Sequence, residues 1–227
     1  MEHPDTKQQI LNAAKSLFAR EGYQATSMRA ITESARVNLA LANYHFGSKK
    51  ALLEAVLERH LKPLNEARLE RLKMIKDEVQ RRKQKPAVFD ILSAFIEPIP
   101  HLKEVGEGGT DFSILIGRAF IEPDRTARKI FLRLMKPVSQ VMLDLLGNAL
   151  PELSKEAIFW RFQFVIGALT RAMIIYKNRR VESTEFNSKT NMDSLMDSLI
   201  SFVQAGMEAP MRQKQFTREL DNMKRVK

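Results

Sequence analysis

Polar side chains able to contact nucleic acid are concentrated in the segment from Thr26 to Leu53. The segment predicts two short helices joined by a tight turn, followed by a Ser-Lys-Lys start to a third helix. The second short helix, about Asn38 to His45, carries asparagine, tyrosine and histidine beside a small apolar patch. A helix this short is unstable alone in water and needs a neighbour to pack against. The arrangement suits a helix held in a DNA groove and braced by the helix before it.

These side chains divide into two groups by the DNA atoms that they could contact. Phosphate contacts are expected from groups at helix starts, where N–H dipoles attract anions, and from two polar rings; the set is Ser27, Tyr44, His45 and Lys49. Base-edge contacts are expected from Arg29, Asn38, Leu39, Ala40, Leu41 and Asn43. Because leucine and alanine offer only apolar contact to thymine methyl groups, Arg29 and Asn43 are predicted to make most of the direct readout, with DNA shape contributing. The alternatives are packing of Tyr44 and His45 under the helix and simple solvation of Lys49.

No residue set has the spacing of a catalytic or metal-binding site. The chain has no cysteine, which excludes disulfides, thiolate metal sites and cysteine nucleophiles. Its four histidines lack metal-ligand spacing, and no nucleotide-binding loop or carboxylate pair stands out. An enzyme would need His101 to pair with Glu97 or Glu104, in a segment that is predicted to be a loop. We therefore expect neither an enzyme nor a cofactor.

The chain has 227 residues, 44% of them hydrophobic, and a formal net charge of +10. The length allows one large or two modest domains with ample apolar surface for a core. The charge favours a polyanionic partner, but residues 1–62 hold only nine Lys/Arg against six Asp/Glu. Much of the remainder lies in Arg68–Lys85 and from Arg212 onwards, where solvated faces and a frayed tail are the simpler explanation.

Two further observations concern localisation. No window approaches the roughly 18 consecutive apolar residues of a membrane span. The N-terminus is acidic and polar, unlike a secretory signal. We expect a cytoplasmic protein with no membrane partner.

Helical periodicity accounts for the chain, and no alternating strand pattern or repeat is present. Caps and breakers divide the pattern into about nine helices. Their predicted ranges are 5–21, 28–35, 38–45, 48–85, 86–99, 110–121, 123–150, 154–177 and 191–208. The sequence therefore predicts an all-α fold.

The predicted domains are a helix-turn-helix unit of three helices in residues 1–50, a larger helical ligand-binding and dimerisation domain in residues 51–210, and a basic tail in residues 211–227. The fourth helix joins the helix-turn-helix unit to the larger helical domain without a linker. A rigid helix shared by both could transmit a shift at one end to the other.

The N-terminal pattern resembles the TetR/AcrR family of transcriptional repressors over roughly the first 60 residues. The resemblance rests on the run Asn43-Tyr44-His45-Phe46, on Ser48-Lys49 followed by Leu52, and on Ile10, Ala13, Ala14, Phe18, Gly22-Tyr23, Thr26-Ser27, Ile31, Ala35 and Val37-Asn38. It implies backbone contacts to DNA from the phosphate-contact set.

The chain departs from the family pattern at three positions. Arg36 stands where glycine is usual, which implies some strain or a slightly different turn, because a positive φ costs glycine less than it costs arginine. Ala40 replaces a frequent glycine, and Asn43 a frequent tyrosine. The string from Val37 to Leu52 is similar to the subgroup that includes fatty-acid-responsive repressors.

The predicted fifth to eighth helices are rich in phenylalanine and methionine, and methionine adapts to long flexible ligands. Candidate pocket residues are Phe89, Leu92, Phe95, Ile96, Phe112, Leu115, Ile116, Phe120, Met135, Met142, Phe164 and Ala168. Arg118, Arg133 and Arg171 are predicted near apolar faces, where a guanidinium could bind a carboxylate. Ordinary core packing, or an exposed or ion-paired arginine, is the alternative for each. The subgroup resemblance implies a fatty acid or its acyl thioester as ligand.

The eighth helix is apolar nearly all round, and with the ninth it is predicted to form a homodimer interface. The expected function is a repressor that binds a palindromic double-stranded DNA operator as a dimer and is released by a small hydrophobic ligand. Two alternatives stay open: an architectural DNA binder without ligand control, and a helical small-molecule-binding protein that has lost DNA binding. Arg36 and the half-apolar recognition helix motivate the second alternative.

Overall fold

A computed structural model of the protein describes residues 6–99, 109–178 and 191–211. In these ranges the chain forms nine α-helices and no strand. They are α1 Thr6–Glu21, α2 Met28–Ala35, α3 Leu39–Phe46, α4 Lys49–Arg82, α5 Val88–Ile96, α6 Gly109–Ile121, α7 Thr126–Ala149, α8 Lys155–Asn178 and α9 Met192–Glu208. The all-α prediction is confirmed. The predicted loop at 100–109, the polar segment at 178–190 and the basic tail lie almost wholly outside the described residues.

Helices α1 to α3 form the N-terminal unit around one apolar stripe. The buried face of α1 is made by Ile10, Leu11, Ala14, Leu17, Phe18 and their neighbours. Ile31 and Ala35 bring α2 onto this stripe, whereas α3 buries only Ala42. The third helix therefore lies on the unit with almost its whole side-chain surface outward.

Side-chain caps set the starts of the short helices. The oxygens of Ser27, Asn38 and Ser48 accept hydrogen bonds from the backbone N–H three residues on, at 3.0, 2.8 and 3.1 Å. Each bond satisfies a donor that the helix itself leaves unpaired. Ser27 and Ser48 were predicted at helix starts, whereas Asn38 was predicted inside its helix and proves to precede it.

Arg36 ends α2 in the left-handed conformation, with φ 56° and ψ 40°. Its N–H bonds to carbonyls of the last turn of α2, and Val37 donates to Thr32 O at 3.0 Å. This geometry is normally a glycine position, because an L side chain there costs roughly 1 kcal/mol. The sequence prediction of a strained turn at this residue agrees with the geometry.

We expect Arg36→Gly to raise the free energy of unfolding by about 0.5–1 kcal/mol, since relief of the left-handed strain exceeds the added entropy of the unfolded chain. Urea denaturation followed by circular dichroism measures the change. Arg36→Ala is the matched control, since it removes the guanidinium but keeps Cβ. Equal stabilisation by both variants would assign the effect to charge and not to backbone conformation.

The long helix α4 belongs to both parts of the molecule. It contacts α1 and α3 of the N-terminal unit as well as α5 and α7. Leu52, Leu53, Val56 and Leu57 are buried on this helix, which runs through Pro63 without a break. A displacement of α4 by the C-terminal helices would therefore also move α3.

Helices α5 to α9 pack with the second half of α4 into the C-terminal bundle. Residues less than 3% exposed form its centre: Leu72, Ile91, Leu92, Phe95, Ile96, Val138, Met142, Leu146 and Phe162. Three predicted helices were too long, and one of them is α4, which ends at Arg82 and not at residue 85. The fifth helix begins at Val88 and ends at Ile96, not 86–99, and α7 starts at Thr126 because Asp124 accepts the Thr126 N–H at 2.5 Å in a turn before the helix.

Candidate nucleic-acid interface and sensing region

The outward surface of α3 combines apolar and polar side chains. Tyr44 is 85% exposed, and Leu39 and Leu41 are 38% and 39% exposed. Ala40, Asn43 and His45 are exposed as well. The Tyr44 and His45 rings contact each other edge to face at 5.4 Å, so neither packs beneath the helix. This face offers hydrogen-bonding groups and methyl-sized apolar contacts side by side.

Three further candidates lie next to this surface. Arg29 is exposed on α2. Ser27 and Asn38 use their oxygens as caps, so each has only its hydroxyl or amide N–H groups left to donate to DNA. The structure therefore brings the predicted DNA contacts together around α3 and the start of α2, with one exception.

The exception is Lys49, whose ammonium group points into the protein. Nζ donates to the backbone carbonyls of Tyr23, Gln24 and Thr26 at 2.9, 3.4 and 2.9 Å. It also lies 4.5 Å from the centre of the Tyr23 ring. An ammonium has three donors, and all three are engaged. We therefore revise the predicted phosphate contact: Lys49 ties the start of α4 to the loop between α1 and α2.

Arg118 lies where the two parts of the protein meet, and not in a pocket. From α6 its Nε donates to Glu122 Oε1 at 2.6 Å, and its Nη1 donates to the carbonyls of Ala19 and Arg20 at 3.3 and 3.0 Å. These carbonyls end α1, where the helix dipole favours a cation. The predicted ligand contact of Arg118 is therefore corrected to a bond between α6 and α1.

Other polar contacts reinforce this junction. Ser16 Oγ donates to Asp111 Oδ2 at 2.5 Å, and Gln24 Nε2 donates to Asp124. The pKa of Asp124 lies below its ordinary value, chiefly because Thr126 hydrogen-bonds to the carboxylate. Burial raises the pKa of Tyr23, and the negative charge of Asp124 adds to that rise. Both groups keep their ordinary charge at neutral pH, so the junction holds a fixed charge pattern.

The predicted pocket residues separate into buried and surface groups. Leu92, Phe95, Ile96, Leu115, Ile116, Met135 and Met142 are buried, and Phe112 is half-buried and stacked on the His60 ring at 4.6 Å. In contrast, the aromatic side chains of Phe89, Phe120 and Phe164 are 48%, 38% and 68% exposed. The prediction for these three was wrong about the face: an apolar residue on an amphipathic helix does not say which neighbour covers it.

The arginines predicted to bind a ligand are also outside the buried core. Arg171 is exposed, and Arg133 is exposed and paired with Glu54 on α4. A fourth arginine, Arg68, is 3% exposed in the core between α4, α5 and α7 and was not predicted. It occupies the apolar stripe that runs Leu57, Leu61, Leu64, Arg68, Leu72 along α4. That spacing was the available signal for it.

An exposed apolar face runs along α8 and α9. Phe159, Trp160, Phe164 and Phe202 are 44%, 52%, 68% and 73% exposed. By length and composition α8 is also the one described helix apolar enough to cross a membrane, with a mean hydropathy of 1.4 and 28% of the window buried. An exposed apolar face of this kind is typical of an interaction surface.

No group of three or more His, Asp or Glu side chains within the described ranges is placed to hold a metal ion. His101 and Glu104, two of the residues that the enzyme alternative needed, lie outside those ranges.

Two family profiles match the chain. The family described as "Bacterial regulatory proteins, tetR family" matches residues 10–56, and "Tetracyclin repressor-like, C-terminal domain" matches residues 93–206. The first match contains α2 and α3, and the second contains α6, α7 and α8.

Curated relatives match only part of this chain. UidR of Escherichia coli (strain K12), an HTH-type transcriptional regulator, is 38% identical over 56 residues, which are 25% of this chain and 29% of UidR. The uncharacterized regulator YvkB of Bacillus subtilis (strain 168) is 29% identical over 131 residues, 46% of this chain and 69% of YvkB. The chain thus aligns with under a third of the length of UidR.

Solved structures share the whole fold at low identity. The fatty acid degradation regulator FadR from Bacillus halodurans superposes with a TM-score of 0.59 at 15% identity, covering 92% of this chain and all of that one. FadR from Bacillus subtilis, solved in complex with stearoyl-CoA, gives 0.58 at 14% identity over 88% of this chain and 98% of that one. These likenesses establish the arrangement of the helices.

Proposed function

The chain belongs to the TetR family of bacterial transcriptional regulators, and from this premise we propose that it is a repressor that binds a palindromic operator as a dimer and releases it on binding a small hydrophobic effector. One observation supports DNA recognition above all. Helix α3 is capped, yet it buries a single side chain, Ala42, half-buries Phe46 and presents the other six outward. A helix this short and this exposed fits a recognition element whose second packing surface is the major groove.

Direct readout would rest on few polar groups. Arg29 is the one guanidinium on α2, and a bidentate arginine contact to guanine is the commonest specific contact in the major groove. Asn43 can bond to adenine, and Leu39, Ala40 and Leu41 would meet thymine methyl groups. Ser27, Tyr44 and His45 would contact the phosphates and fix the register.

We expect Arg29→Ala to weaken operator binding by about 1–3 kcal/mol and to relax selectivity at one base position of each half-site. Fluorescence-anisotropy titration of the operator and of single-base variants measures both effects. Arg82→Ala is the control, because it removes the same charge from the far end of α4. Equal loss of affinity for specific and random DNA would show that Arg29 contacts phosphate and not a base.

The dimer would form through α8 and α9. Their exposed aromatic side chains lie on neighbouring helices of one protomer, so a two-fold axis can bury the face against its own copy. Two recognition helices would then meet successive major grooves, which requires half-sites related by the same axis.

Control by the effector would act through α4, which belongs to both the DNA-binding unit and the C-terminal bundle. A ligand among α5 to α8 would shift α6 and α7 against α4, and the bonds from Arg118 to the end of α1 offer a second route to the DNA-binding unit. The buried phenylalanine and methionine side chains favour an apolar ligand, and the complex of the similarly folded FadR with stearoyl-CoA supports a fatty acid or acyl thioester. These properties suit a cytoplasmic regulator without enzymatic activity.

A gel-shift titration with DNA from upstream of the chain's own gene tests the proposal. We expect a sharp dimeric complex at nanomolar to micromolar protein that dissociates when a long-chain acid or acyl thioester is added. Binding that no hydrophobic ligand weakens would favour an architectural DNA binder. Absence of binding would favour a small-molecule-binding protein.

A further inference from the structure

Arg68 is a cation in the core of the C-terminal bundle, and no described residue is an anionic partner for it. Its Nε donates to the carbonyl of Phe95 at 2.8 Å, and its Nη1 lies 3.5 Å from Asn65 Oδ1 and 3.9 Å from Met135 Sδ. The guanidinium carbon is 3.9 Å from the centre of the Phe95 ring. Among the described residues no Asp or Glu forms an ion pair with it.

Burial of a guanidinium without an anionic partner is energetically unfavourable. An ion withdrawn from water costs several kcal/mol unless a partner of opposite charge compensates it. The carbonyl, the amide and the aromatic face offset part of this cost, since each directs negative potential at the guanidinium. Burial lowers the pKa of Arg68 to about 9, so the group is still a cation at neutral pH.

The surroundings of Arg68 are suited to a ligand with a charged head and an apolar body. Phe95, Met135 and Phe162 are 2%, 5% and 1% exposed, and the two phenylalanine rings lie 5.5 Å apart. The hydrogen bonds described above engage Nε and Nη1, and a guanidinium has five donors in a fork that matches a carboxylate. The thioether of Met135 can change its rotamer at little cost.

We propose that Arg68 anchors the carboxylate of an amphiphilic effector whose apolar tail lies among Phe95, Met135 and Phe162. As an effector site this rests on the regulatory function proposed above. Because Arg68 is 3% exposed, the anion can reach it only if α4 separates from α5 and α7. Capture of the ligand and displacement of the helix that carries the DNA-binding unit are then one event.

The three arginines that the sequence predicted as ligand contacts fit this role less well. Arg118 has a carboxylate and two carbonyl partners, and Arg133 is paired with Glu54. Arg171 is exposed, where water competes with any anion. Arg68 alone among these four is both buried and without a carboxylate partner in the described part of the chain.

Calorimetric titration of the full-length protein without DNA tests the proposal. The probes are dodecanoate, dodecanol and dodecyltrimethylammonium below their micelle concentrations, three ligands with one tail and different heads. We expect dodecanoate to bind at least about tenfold more tightly than the other two, since only a carboxylate neutralises Arg68. Equal binding of the acid and the alcohol, or no binding of the acid, would overturn the proposal.

Variants at Arg68 separate anchoring from simple packing. Arg68→Met is expected to lose at least about tenfold in affinity for dodecanoate and nothing for dodecanol, and Arg68→Lys to fall between it and the unaltered chain. Arg71→Met is the matched control, because Arg71 lies one turn away on α4 and pairs with Glu97 at the surface. Its dodecanoate affinity should change less than twofold. If Arg68→Met does not fold, Arg68→Lys and the three probes decide the question.

Failure of the anchor and failure of the regulator give different results. Dodecanoate binding that depends on Arg68, in a protein that binds no DNA, would support the anion site and contradict the proposed repressor function. DNA binding, together with a dodecanoate affinity that is unchanged in Arg68→Met, would support the regulatory function and contradict the proposal that Arg68 anchors the ligand.

Discussion

The double substitution Phe164→Glu/Phe202→Glu is expected to convert the proposed dimer into monomers and to lower operator affinity at least about a hundredfold. The effect is large because a monomer loses the second half-site, whose binding is otherwise an intramolecular event. Both side chains are mostly exposed in the single protomer, at 68% and 73%, so the substitutions do not create a buried charge within one chain. In the dimer each glutamate would be desolvated in an apolar contact, which costs several kcal/mol.

Sedimentation equilibrium measures the oligomeric state, and anisotropy titration of the same samples measures operator affinity. Met74→Glu is the control, since Met74 is 67% exposed on α4 and outside this face. A variant that remains dimeric would place the interface elsewhere. An unaltered chain that sediments as a monomer and binds lipid vesicles through the same phenylalanines would assign the face to a membrane.

Gly22→Ala is expected to destabilise the protein by roughly 2–3 kcal/mol, an unusually large effect for one methyl group. Gly22 has φ +89°, a conformation that L side chains adopt only at a cost of roughly 1–2 kcal/mol. A Cβ there would also lie 2.5 Å from Glu122 Oε1 and 3.0 Å from Arg118 Nη2. The methyl group would therefore displace the Glu122 carboxylate and the guanidinium of Arg118, whose Nη1 bonds to the end of α1.

A double-mutant cycle separates these two causes in urea denaturation at one protein concentration. Glu122→Ala removes the obstructing carboxylate, so the Gly22→Ala/Glu122→Ala variant should be more stable than the sum of the single changes predicts, by about 1 kcal/mol. Gly47→Ala gives the backbone cost alone, because Gly47 has φ +71° and no atom within 4 Å of its ideal Cβ. Additive effects in the cycle would show that α1 and α6 do not meet in solution as they do here.

Features that depend on local hydrogen bonds could be predicted from the sequence. Ser27 and Ser48 bond three residues ahead, and Gly22 marks the turn after α1 by residue type. The turn at Arg36 was located by the family pattern, which usually has glycine there. The nine helices of the described residues followed from such signals together with the apolar periodicity.

Features that depend on partners distant in the chain could not be predicted from the sequence. Lys49 bonds to carbonyls 23 to 26 residues earlier, and Arg118 to carbonyls about a hundred residues earlier. A charged residue type predicts a partner of opposite charge or water, and backbone carbonyls at helix ends leave no mark in the sequence. Phe120 and Phe164 were misplaced for a related reason: periodicity identifies an apolar face but not the helix that covers it.

The run of α4 from Lys49 to Arg68 has a mechanical consequence. At 1.5 Å per residue these two side chains leave the helix axis about 29 Å apart, so α4 is a lever with the loop before α2 at one end and a buried cation at the other. A tilt of about 5° about the Arg68 end would displace the Lys49 end by about 2.5 Å, and twice that between the two protomers of a dimer. Against a major groove about 12 Å wide, a rotation of this size is enough to take one recognition helix out of register with the other.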